Sequence, residues 1–376
     1  MMPNPGLELR STISADGRLT LSLEPVDVGD PGAGEVVVRI EAAPINPSDL
    51  GLLIGPADVS TMETGGTADR PELRFTVPAD RLGSVQARLG ESMAVGNEGA
   101  GTVIAAGDGA QGLMGKRVAV LGGAMYTQFR KLKVRDCVAL PDDATSADGA
   151  AMFVNPLTAL GFTETMKAEG HKAIVHTAAA SNLGQMLNRI CIADGIPLVN
   201  IVRSPAQVAL LEGQGAKYVL DSSADGFGDK LVDAIAETKA SIGFDAIGGG
   251  DLVGRILDAM EKAANRQAGE YSRYGSNTFK QMYLYGMLDV SPTVIRRTFG
   301  FAWSIGGWLL TPFLQKAGAE TGAKLRQRIL DELKTTFASN YTATIGLAEA
   351  LTPETFLAYE RKTTGEKYLI DPTIAG

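Results

Sequence analysis

The sequence predicts an α/β protein that combines a doubly wound, six-stranded parallel sheet with a β-rich region. Residues 173–203 read as strand, small-residue turn, helix and second strand, which is the pattern of a βαβ unit. Apolar runs of strand length then alternate with helical patterns as far as residue 303, as expected of a doubly wound sheet. Residues 1–133, by contrast, consist mainly of strand-like runs separated by turns.

Composition and charge restrict the classes of partner. The chain has 376 residues, of which 45% are hydrophobic and 21% charged, so we expect two domains of ordinary globular composition. The net charge of −8 argues against a nucleic-acid partner and against an anionic membrane surface. A small-molecule substrate, even an anionic one, needs only a local positive site and therefore fits this composition.

The cysteine and histidine content predicts neither disulfides nor metal chemistry. Cys137 and Cys191 are too few for a disulfide framework, and the first residues do not resemble a signal peptide, so we expect a cytoplasmic protein. His171 and His176 flank one strand with no suitable cysteine nearby, so we expect no zinc site. The apolar window 299–314 contains glycine and proline and is short for a membrane span.

The first half is predicted to be β-rich, with two irregular segments. Asn46 falls in a loop, residues 42–50, in which two prolines hold the backbone extended. Residues 51–92 are polar and rich in glycine and proline, which predicts a lid-like excursion or, over 58–72, disorder. Strands are expected at 35–41, 95–106, 115–121 and 126–133, followed by a helix that runs past residue 150.

The second half supplies the alternating elements of the parallel sheet. Strands are expected at 173–175, 198–202, 218–221, 242–247, 282–287 and 299–303. Helices are expected after Pro156 and at 183–194, 204–214, 229–240 and 251–264. The remaining residues predict a charged helix at 320–338, a helix at 353–362 and a last strand at 368–370.

The turn between the first strand and helix of the βαβ unit is a candidate phosphate site. Backbone N–H groups and a helix N-terminus meet there, which suits a dinucleotide. Of the glycines in the usual G-x-G-x-x-G spacing, only Gly184 is present. A βαβ unit that binds no ligand therefore stays open as the alternative at this point.

Four local motifs, in this order and spacing, resemble the medium-chain dehydrogenase/reductase superfamily, and in particular its zinc-free quinone oxidoreductases and enoyl-thioester reductases. They are Asn46-Pro47-Ser48-Asp49, the glycine-rich 96–101, Asn155-Pro156-Leu157-Thr158-Ala159, and the turn 178–185. The tail 364–367 also resembles the last strand of that family. The resemblance implies a Rossmann dinucleotide-binding domain at 155–311 and a GroES-like β-rich substrate domain at 1–154 and 312–376.

The resemblance also implies where a cofactor binds and that zinc is absent. Zinc-dependent members carry a histidine ligand at the position of Asn97 and a cysteine ligand near Asn46, and this chain has neither. The pyrophosphate is expected on the turn formed by Ser181, Asn182, Leu183 and Gly184. The nicotinamide is expected beside Asn46, Asn155 and Thr158, our catalytic candidates, and against the backbone of Tyr285, Gly286 and Met287.

The end of the second strand favours NADPH over NADH. An NAD site places a carboxylate there for the ribose 2′-hydroxyl, whereas a 2′-phosphate needs a cation and a hydroxyl. This chain has Arg203 and Ser204 at that point, and an arginine can bind phosphate with two hydrogen bonds. The alternative is that Arg203 is a solvated strand end. Gln207 stands where the family often has a lysine.

The expected reaction is hydride transfer to a quinone or an α,β-unsaturated carbonyl. Enoyl-thioester reductases use a tyrosine shortly after the first motif as proton donor, but Gly51 and Ala57 occupy those positions here. Tyr126, Tyr271 and Tyr274 are alternatives by position alone. Enoyl-thioester reduction and a non-catalytic, NADPH-binding sensor or partner protein stay open as alternatives. The family resemblance implies a homodimer, for which the apolar run 299–310 offers an edge strand.

Overall fold

The structure, a computed structural model, describes residues 5–267 and 272–374. Its backbone contacts divide the chain into two compact units, which are Met1–Val154 with Leu333–Gly376, and Asn155–Glu332. The sequence-based division returned to the first domain at residue 312. In the structure the chain returns to the first unit only at Leu333, because the intervening helix contacts the second unit, where Arg328 pairs with Asp194 at 2.8 Å.

The first unit begins with ten strands that form two sheets. These strands are β1 Gly6–Ile13, β2 Arg18–Val26, β3 Glu35–Pro44, β4 Asp58–Gly66, β5 Pro71–Thr76, β6 Ser92–Ala94, β7 Glu98–Ala106, β8 Arg117–Leu121, β9 Phe129–Lys133 and β10 Cys137–Ala139. One sheet has the order β4-β5-β2-β1-β6, and β10-β8-β7-β3 belong to the other, with β9 also paired to β3. Along β2, every second residue from Leu19 to Leu23 points into the core: Leu19, Leu21 and Leu23 are buried, as the twofold period of a half-buried strand requires.

Two short helices complete this part of the chain, α1 Pro47–Leu53 and α2 Ser146–Gly149. The expected loop at 42–50 is therefore wrong: β3 continues to Pro44, and Pro47 opens α1, where a missing N–H costs nothing. The helix expected past residue 150 is also shorter than predicted, since α2 ends at Gly149.

Residues 58–92 are neither a lid nor disordered in the structure. β4 and β5 pair with each other and β5 pairs with β2, so this segment extends the first sheet. Arg88 then donates to the Leu52 carbonyl at 3.1 Å and to the Ser11 hydroxyl at 2.9 Å. The sequence pattern did not indicate β4 because none of the residues of this edge strand is fully buried, so it lacks a buried face.

The second unit contains the parallel sheet. Its elements in chain order are α3 Val154–Ala168, β11 Ile174–His176, α4 Asn182–Asp194, β12 Leu198–Val202, α5 Pro205–Gly213, β13 Tyr218–Asp221, α6 Phe227–Thr238, β14 Ile242–Asp245, β15 Gly248–Gly250, α7 Leu252–Gln267, β16 Lys280–Leu284, β17 Asp289–Thr293, β18 Trp303–Gly307 and α8 Leu310–Asp331. The six-stranded sheet has the order β13-β12-β11-β14-β16-β18, and every pair is parallel. β15 and β17 form a separate two-stranded sheet.

The sixth strand lies four residues later than the sequence pattern predicted. β18 spans Trp303–Gly307 rather than 299–303, and Phe299 packs into the core before the strand begins. Gly306 and Gly307 obscured the strand because glycine lacks a side chain that would mark its period. α8 is broken at Gly318, whose φ of 82° is not helical, so the charged helix expected at 320–338 corresponds to the part of α8 after this break and ends earlier than predicted, at Asp331.

The chain ends in the first unit with β19 Ala343–Ile345, α9 Pro353–Glu360 and β20 Tyr368–Ile370. β20 pairs with β3 and with β19, so the tail completes the second sheet of that unit. The strand predicted at 368–370 is found with the same bounds.

Candidate functional site

The candidate phosphate turn lies between β11 and α4. Ser181 precedes the helix, and its Oγ accepts the Gly184 N–H at 3.1 Å, which satisfies one N–H of the first helical turn. α4 is 13 residues long, so the positive end of its dipole lies at this turn. Ser181 and Asn182 are half-buried, and Leu183 and Gly184 are buried. The turn thus has the form of an anion site on a helix N-terminus.

Gly184 is required by the packing of this turn. A Cβ atom at that position would lie 2.2 Å from the Ala179 carbonyl oxygen, far inside van der Waals contact. This glycine brings the helix close to the turn, which is the third role that glycines have in dinucleotide motifs.

Arg203 and Ser204 follow β12 at the same edge of the sheet. The Arg203 backbone N–H donates to Gln207 Oε1 at 3.0 Å, and Ser204 Oγ accepts the Gln207 N–H at 3.4 Å. These bonds hold the loop at the start of α5, while the Arg203 residue is exposed. Gln207, which stands where a lysine was expected, thus has a structural role in shaping the loop.

A histidine–tyrosine pair spans the strand ends of the parallel sheet. His176 is the last residue of β11 and Tyr285 follows β16; the His176 Nε2 and the Tyr285 hydroxyl are 2.8 Å apart. His176 is fully buried, and burial lowers its pKa to about 3, so its ring is neutral at neutral pH. Burial raises the pKa of the Tyr285 hydroxyl above its usual range, so this group keeps its proton.

The second ring nitrogen of His176 selects the tautomer. His176 Nδ1 is buried and has no hydrogen-bond partner among the described residues. An unpaired buried N–H is rarer in proteins than an undersatisfied acceptor. This favours the tautomer with the proton on Nε2, in which Nε2 donates to the Tyr285 oxygen and the Tyr285 O–H can donate elsewhere.

Asp245, at the end of β14, organises the neighbouring strand end. Its Oδ1 accepts the Thr177 hydroxyl at 2.6 Å, and its Oδ2 accepts the Gly248 N–H at 2.7 Å. Thr177 Oγ1 in turn accepts the Ala246 N–H at 3.0 Å. Asp245 is buried, and these bonds fix the backbone where the chain leaves β11 and β14. In parallel sheets, ligands bind outside such carboxyl ends.

The two candidates on α3 share a face of that helix. Asn155 and Thr158 are buried, and their spacing of three residues puts them on one side, which Phe162 continues one turn later. The Phe162 ring packs edge-on against Tyr285, with centroids 4.7 Å apart. Asn155 and Thr158 therefore lie on the helix face that leads to the histidine–tyrosine pair.

Residues 285–287 were predicted to end the fifth strand, but β16 ends at Leu284 and these residues follow it, with different exposures. A Cβ at Gly286 would lie 2.5 Å from the Ala246 carbonyl oxygen, so the two backbones approach closely there. Met287 is 80% exposed. This backbone is accessible at the carboxyl edge of the sheet.

In the first unit, Asn46 precedes α1 in a buried polar cluster. Asp49 forms a reciprocal capping box with Asn46, and its two carboxylate oxygens accept the backbone N–H groups of Asn46 and Asn97, each at 2.8 Å. The Asn46 side-chain amide donates to Glu98 Oε1 at 2.9 Å. Burial raises the pKa of Asp49 to about 7. The first and second sequence motifs are thus hydrogen-bonded to each other.

The tyrosines considered as proton donors have other surroundings. Tyr126 is fully buried and donates to the Pro44 carbonyl at 3.1 Å, while burial raises its pKa well above the usual range. Tyr274 is 59% exposed and is stacked by the Arg273 guanidinium. Tyr271 lies outside the described residues. A side chain at Gly51 would meet no atom within 4 Å, so the position expected for a tyrosine is open space.

Within residues 5–267 and 272–374, no group of three or more histidine, cysteine, aspartate and glutamate side chains is arranged to hold a metal ion. None of the helices in the described part of the chain is both long enough and apolar enough to cross a lipid bilayer.

Sequence reasoning missed the polar residues that hold these elements in place, namely His176, Asp245, Asp49 and Glu98. Asp49 and Glu98 lay inside quoted motifs, but their burial was not visible in the sequence. His176 and Asp245 end apolar strands, and a polar residue at the carboxyl end of a buried parallel strand is the signal that could have identified them.

No family model matches the chain. Among curated proteins, the mitochondrial enoyl-[acyl-carrier-protein] reductase of Caenorhabditis elegans is 27% identical over 196 residues, 51% of this chain and 49% of that protein. The synaptic vesicle membrane protein VAT-1 homolog of Rattus norvegicus is 26% identical over 239 residues, 62% of this chain and 52% of that protein. The chain spans about half the length of the curated relatives it matches.

Solved structures match over nearly the whole chain. A protein assigned as an NADPH:quinone reductase from Mesorhizobium loti has a TM-score of 0.73 at 26% identity and covers 99% of this chain and 100% of its own. A mycobacterial protein solved with NADPH has a TM-score of 0.66 at 18% identity, covering 98% and 100%. A mutant enoyl thioester reductase from Candida tropicalis has a TM-score of 0.66 at 18% identity, covering 99% and 100%. The predicted fold class is therefore confirmed.

Substitution of the buried His176 should make the free energy of unfolding depend less on pH between pH 7 and pH 5. The folded pKa of His176 is about 3, against an ordinary 6.5, so its stability contribution is present above pH 6.5 and is lost as pH falls toward 3. At pH 5 this loss is about 2 kcal/mol, from 1.36 kcal/mol per pKa unit. Urea unfolding at pH 7 and pH 5 should therefore show a larger drop for the wild type than for His176→Gln.

His171→Gln is the matched control. Burial also lowers the pKa of His171, but this ring is only half-buried and bonds to Ser241. His171→Gln should therefore change the pH dependence of the free energy of unfolding less than His176→Gln does. If the free energy of unfolding falls equally from pH 7 to pH 5 in the wild type and in His176→Gln, a neutral His176 is contradicted.

Proposed function

We propose that this chain is a member of the medium-chain dehydrogenase/reductase superfamily, and that it is a zinc-independent, NADPH-dependent oxidoreductase that acts on a quinone or an α,β-unsaturated carbonyl. Similarity to an NADPH:quinone reductase and to an enoyl-[acyl-carrier-protein] reductase supports this proposal. The coarser activity, that of an oxidoreductase, agrees with both groups of relatives. The observation that carries the proposal is the edge of the parallel sheet, where a helix N-terminus and an exposed arginine follow neighbouring strands.

The fit of NADPH rests on two features of the second unit. The turn at 181–184 presents a helix N-terminus, and Gly184 lets the helix approach the turn closely. Arg203 is exposed one strand away, because β11 and β12 are adjacent and parallel. A protein of the same fold has been solved with NADPH. In the proposal, Ser181, Asn182, Leu183 and Gly184 bind the pyrophosphate, and Arg203 with Ser204 binds the 2′-phosphate.

The bound cofactor supplies the hydride, and the chain supplies orientation and polar groups. We assign the catalytic set to Asn46, Asn155 and Thr158, since amides and hydroxyls can donate to a carbonyl oxygen that gains negative charge. The backbone of Tyr285, Gly286 and Met287 is assigned to the nicotinamide edge. In the favoured tautomer, the Tyr285 O–H is available as a donor at the same edge of the sheet.

Enoyl-thioester reduction is the second candidate, because the similar curated proteins include mitochondrial enoyl-[acyl-carrier-protein] reductases. Gly51 and Ala57 argue against it, since that branch has its donor tyrosine at one of these positions. We also propose a cytoplasmic location, in keeping with the free thiols of Cys137 and Cys191.

A screen of NADPH consumption tests the reaction class. Purified protein is given NADPH with quinones, with enals and enones, and with enoyl thioesters, before and after prolonged chelation. We expect saturable oxidation with the first two classes and no change after chelation, because the chain carries no zinc-ligand motif.

Three results would contradict parts of this assignment. A faster reaction with enoyl thioesters would favour the second candidate. A rate that falls after chelation and returns with zinc would contradict the zinc-free assignment. Saturable NADPH binding without oxidation in any class would favour a sensor or partner protein instead of an enzyme.

Arg203→Ala should separate the two nicotinamide cofactors. A charge-assisted hydrogen bond to phosphate contributes about 1.5–3 kcal/mol, so NADPH binding should weaken about 10- to 100-fold. NADH lacks the 2′-phosphate, so its dissociation constant should stay within about twofold. Fluorescence titration measures both constants. Lys324→Ala, which removes an exposed cation of α8, is the control. Equal weakening of both cofactors would sink the 2′-phosphate assignment.

We further propose a homodimer formed through β18, the free edge of the six-stranded sheet. Phe301, just before this strand, is 78% exposed, so Phe301→Glu should shift the mass measured by light scattering from dimer to monomer without unfolding. Met114→Glu alters a 54% exposed side chain of the first unit and should leave the mass unchanged. A wild-type monomer across the concentration range would contradict the dimer.

A further inference from the structure

Glu98, in the second predicted motif, is hydrogen-bonded to the first motif and to the backbone just before the third. This first residue of β7 is fully buried. Its Oε1 accepts the Asn46 side-chain amide at 2.9 Å. Its Oε2 accepts two backbone N–H groups, from Phe153 and Val154, each at 2.9 Å. Val154 immediately precedes Asn155 in the chain, so one carboxylate holds the first catalytic candidate and the backbone that leads to the second.

The positive charge of a lysine near the C-terminus, Lys367, offsets part of the cost of burying the Glu98 carboxylate. A buried carboxylate is costly unless it is paired and hydrogen-bonded. Lys367 is buried, and its Nζ has no hydrogen-bond partner among the described residues. Burial lowers the pKa of Lys367 to about 8, and the Glu98 and Asp49 charges oppose that shift. The same positive charge opposes the effect of burial on Glu98. Lys367 therefore acts on Glu98 through charge rather than through a direct bond.

We propose that Glu98 is a positioning residue for the proposed hydride transfer: it sets the direction of the Asn46 amide and the backbone path into Asn155, and does not itself touch the reactants. This inference rests on the proposed function, because it is Asn46 and Asn155 that would contact the nicotinamide. It goes beyond that function because it assigns a positioning role to Glu98, which contacts neither substrate nor cofactor.

The chemistry of the carboxylate makes this assignment specific. Glu98 offers two acceptor oxygens to donors on two sides, and a carboxylate can accept on both. Glutamine has the same shape but only one oxygen. If that oxygen meets the Phe153 and Val154 N–H groups, the glutamine NH₂ faces the Asn46 NH₂, and two donors oppose each other. Asn46 must then turn its amide or lose the contact.

The test is a set of variants in the full-length protein: Glu98→Gln, Asn46→Asp, and the pair of both changes. In the pair, donor and acceptor exchange places, since the introduced glutamine can donate to the introduced aspartate. In Asn46→Asp alone, two carboxylates oppose each other. We measure kcat with the best substrate of the screen, the NADPH dissociation constant by fluorescence, and the urea midpoint of each variant.

We expect kcat of Glu98→Gln to fall about 10- to 100-fold, because small misplacements of reacting groups have effects of that size. The NADPH dissociation constant should change less than about threefold, because the phosphates are assigned to the other unit. The pair should exceed both single variants in urea midpoint, while its kcat stays low because Asn46→Asp removes the amide assigned to the substrate oxygen. The recovered midpoint is a double-mutant cycle for the contact, and the loss of kcat at a nearly unchanged NADPH dissociation constant in Glu98→Gln distinguishes positioning from a general loss of structure.

Glu261→Gln is the matched control. Glu261 is a buried carboxylate of α7 that pairs with the buried Lys280 at 2.5 Å and accepts the Ser276 N–H at 2.7 Å. Its loss should lower the urea midpoint and leave kcat and the NADPH dissociation constant unchanged.

The outcomes separate this inference from the proposed function. If the wild type turns over substrate and Glu98→Gln matches its kcat, or if the pair recovers none of the urea midpoint, the positioning role is overturned. If the wild type neither binds nor oxidises NADPH, the proposed function fails and the positioning role fails with it. Recovery of the urea midpoint in the pair would then still establish the Asn46–Glu98 contact.

Discussion

The parallel pairing of β11 with β12 and β14 is the constraint on which the candidate site depends. Parallel strands end at the same edge of a sheet, so three successive crossovers bring their carboxyl ends together. Buried polar groups at that edge bond to each other, Thr177 to Asp245 and His176 Nε2 to Tyr285, while His176 Nδ1 has no partner among the described residues. Arg203 is exposed there, which leaves a cation at the edge for a ligand. The parallel strand pairing that forms the sheet therefore also places the residues of the candidate site at one edge.

Two buried carboxylates of the first unit also have hydrogen-bond partners, and these partners come from segments far apart in the sequence. Two carboxylates, Asp49 and Glu98, are buried there and accept hydrogen bonds from several chain segments. The hydrogen-bond donors offset part of the cost of burying these carboxyl groups, and the positive charge of Lys367 opposes the rise that burial causes in the pKa of Glu98. The cost of burying charge therefore explains why segments far apart in sequence converge on one cluster.

Much of the second unit could be predicted from the sequence because its signals are local. The strand at 198–202 is an apolar run of strand length, and the helix of the βαβ unit ends at a glycine. The prediction failed where pairing decided the structure. β4 is an exposed edge strand, and β18 is rich in glycine, so neither carries a clear period. Their positions follow from the neighbouring strand rather than from their own residues.

By itself, the sequence determined the fold class, the turn before α4 and the basic end of the second strand, because short-range period, turn residues and chain order carry that information. Only the tertiary structure decided that Gly184 is required by contact with Ala179, that Glu98 joins segments 52 and 55 residues away, and that His176 is a neutral partner of Tyr285. The reason is physical: burial and hydrogen-bond partners depend on which distant segments pack together, and these set both the charge of a group and the direction of its donors and acceptors.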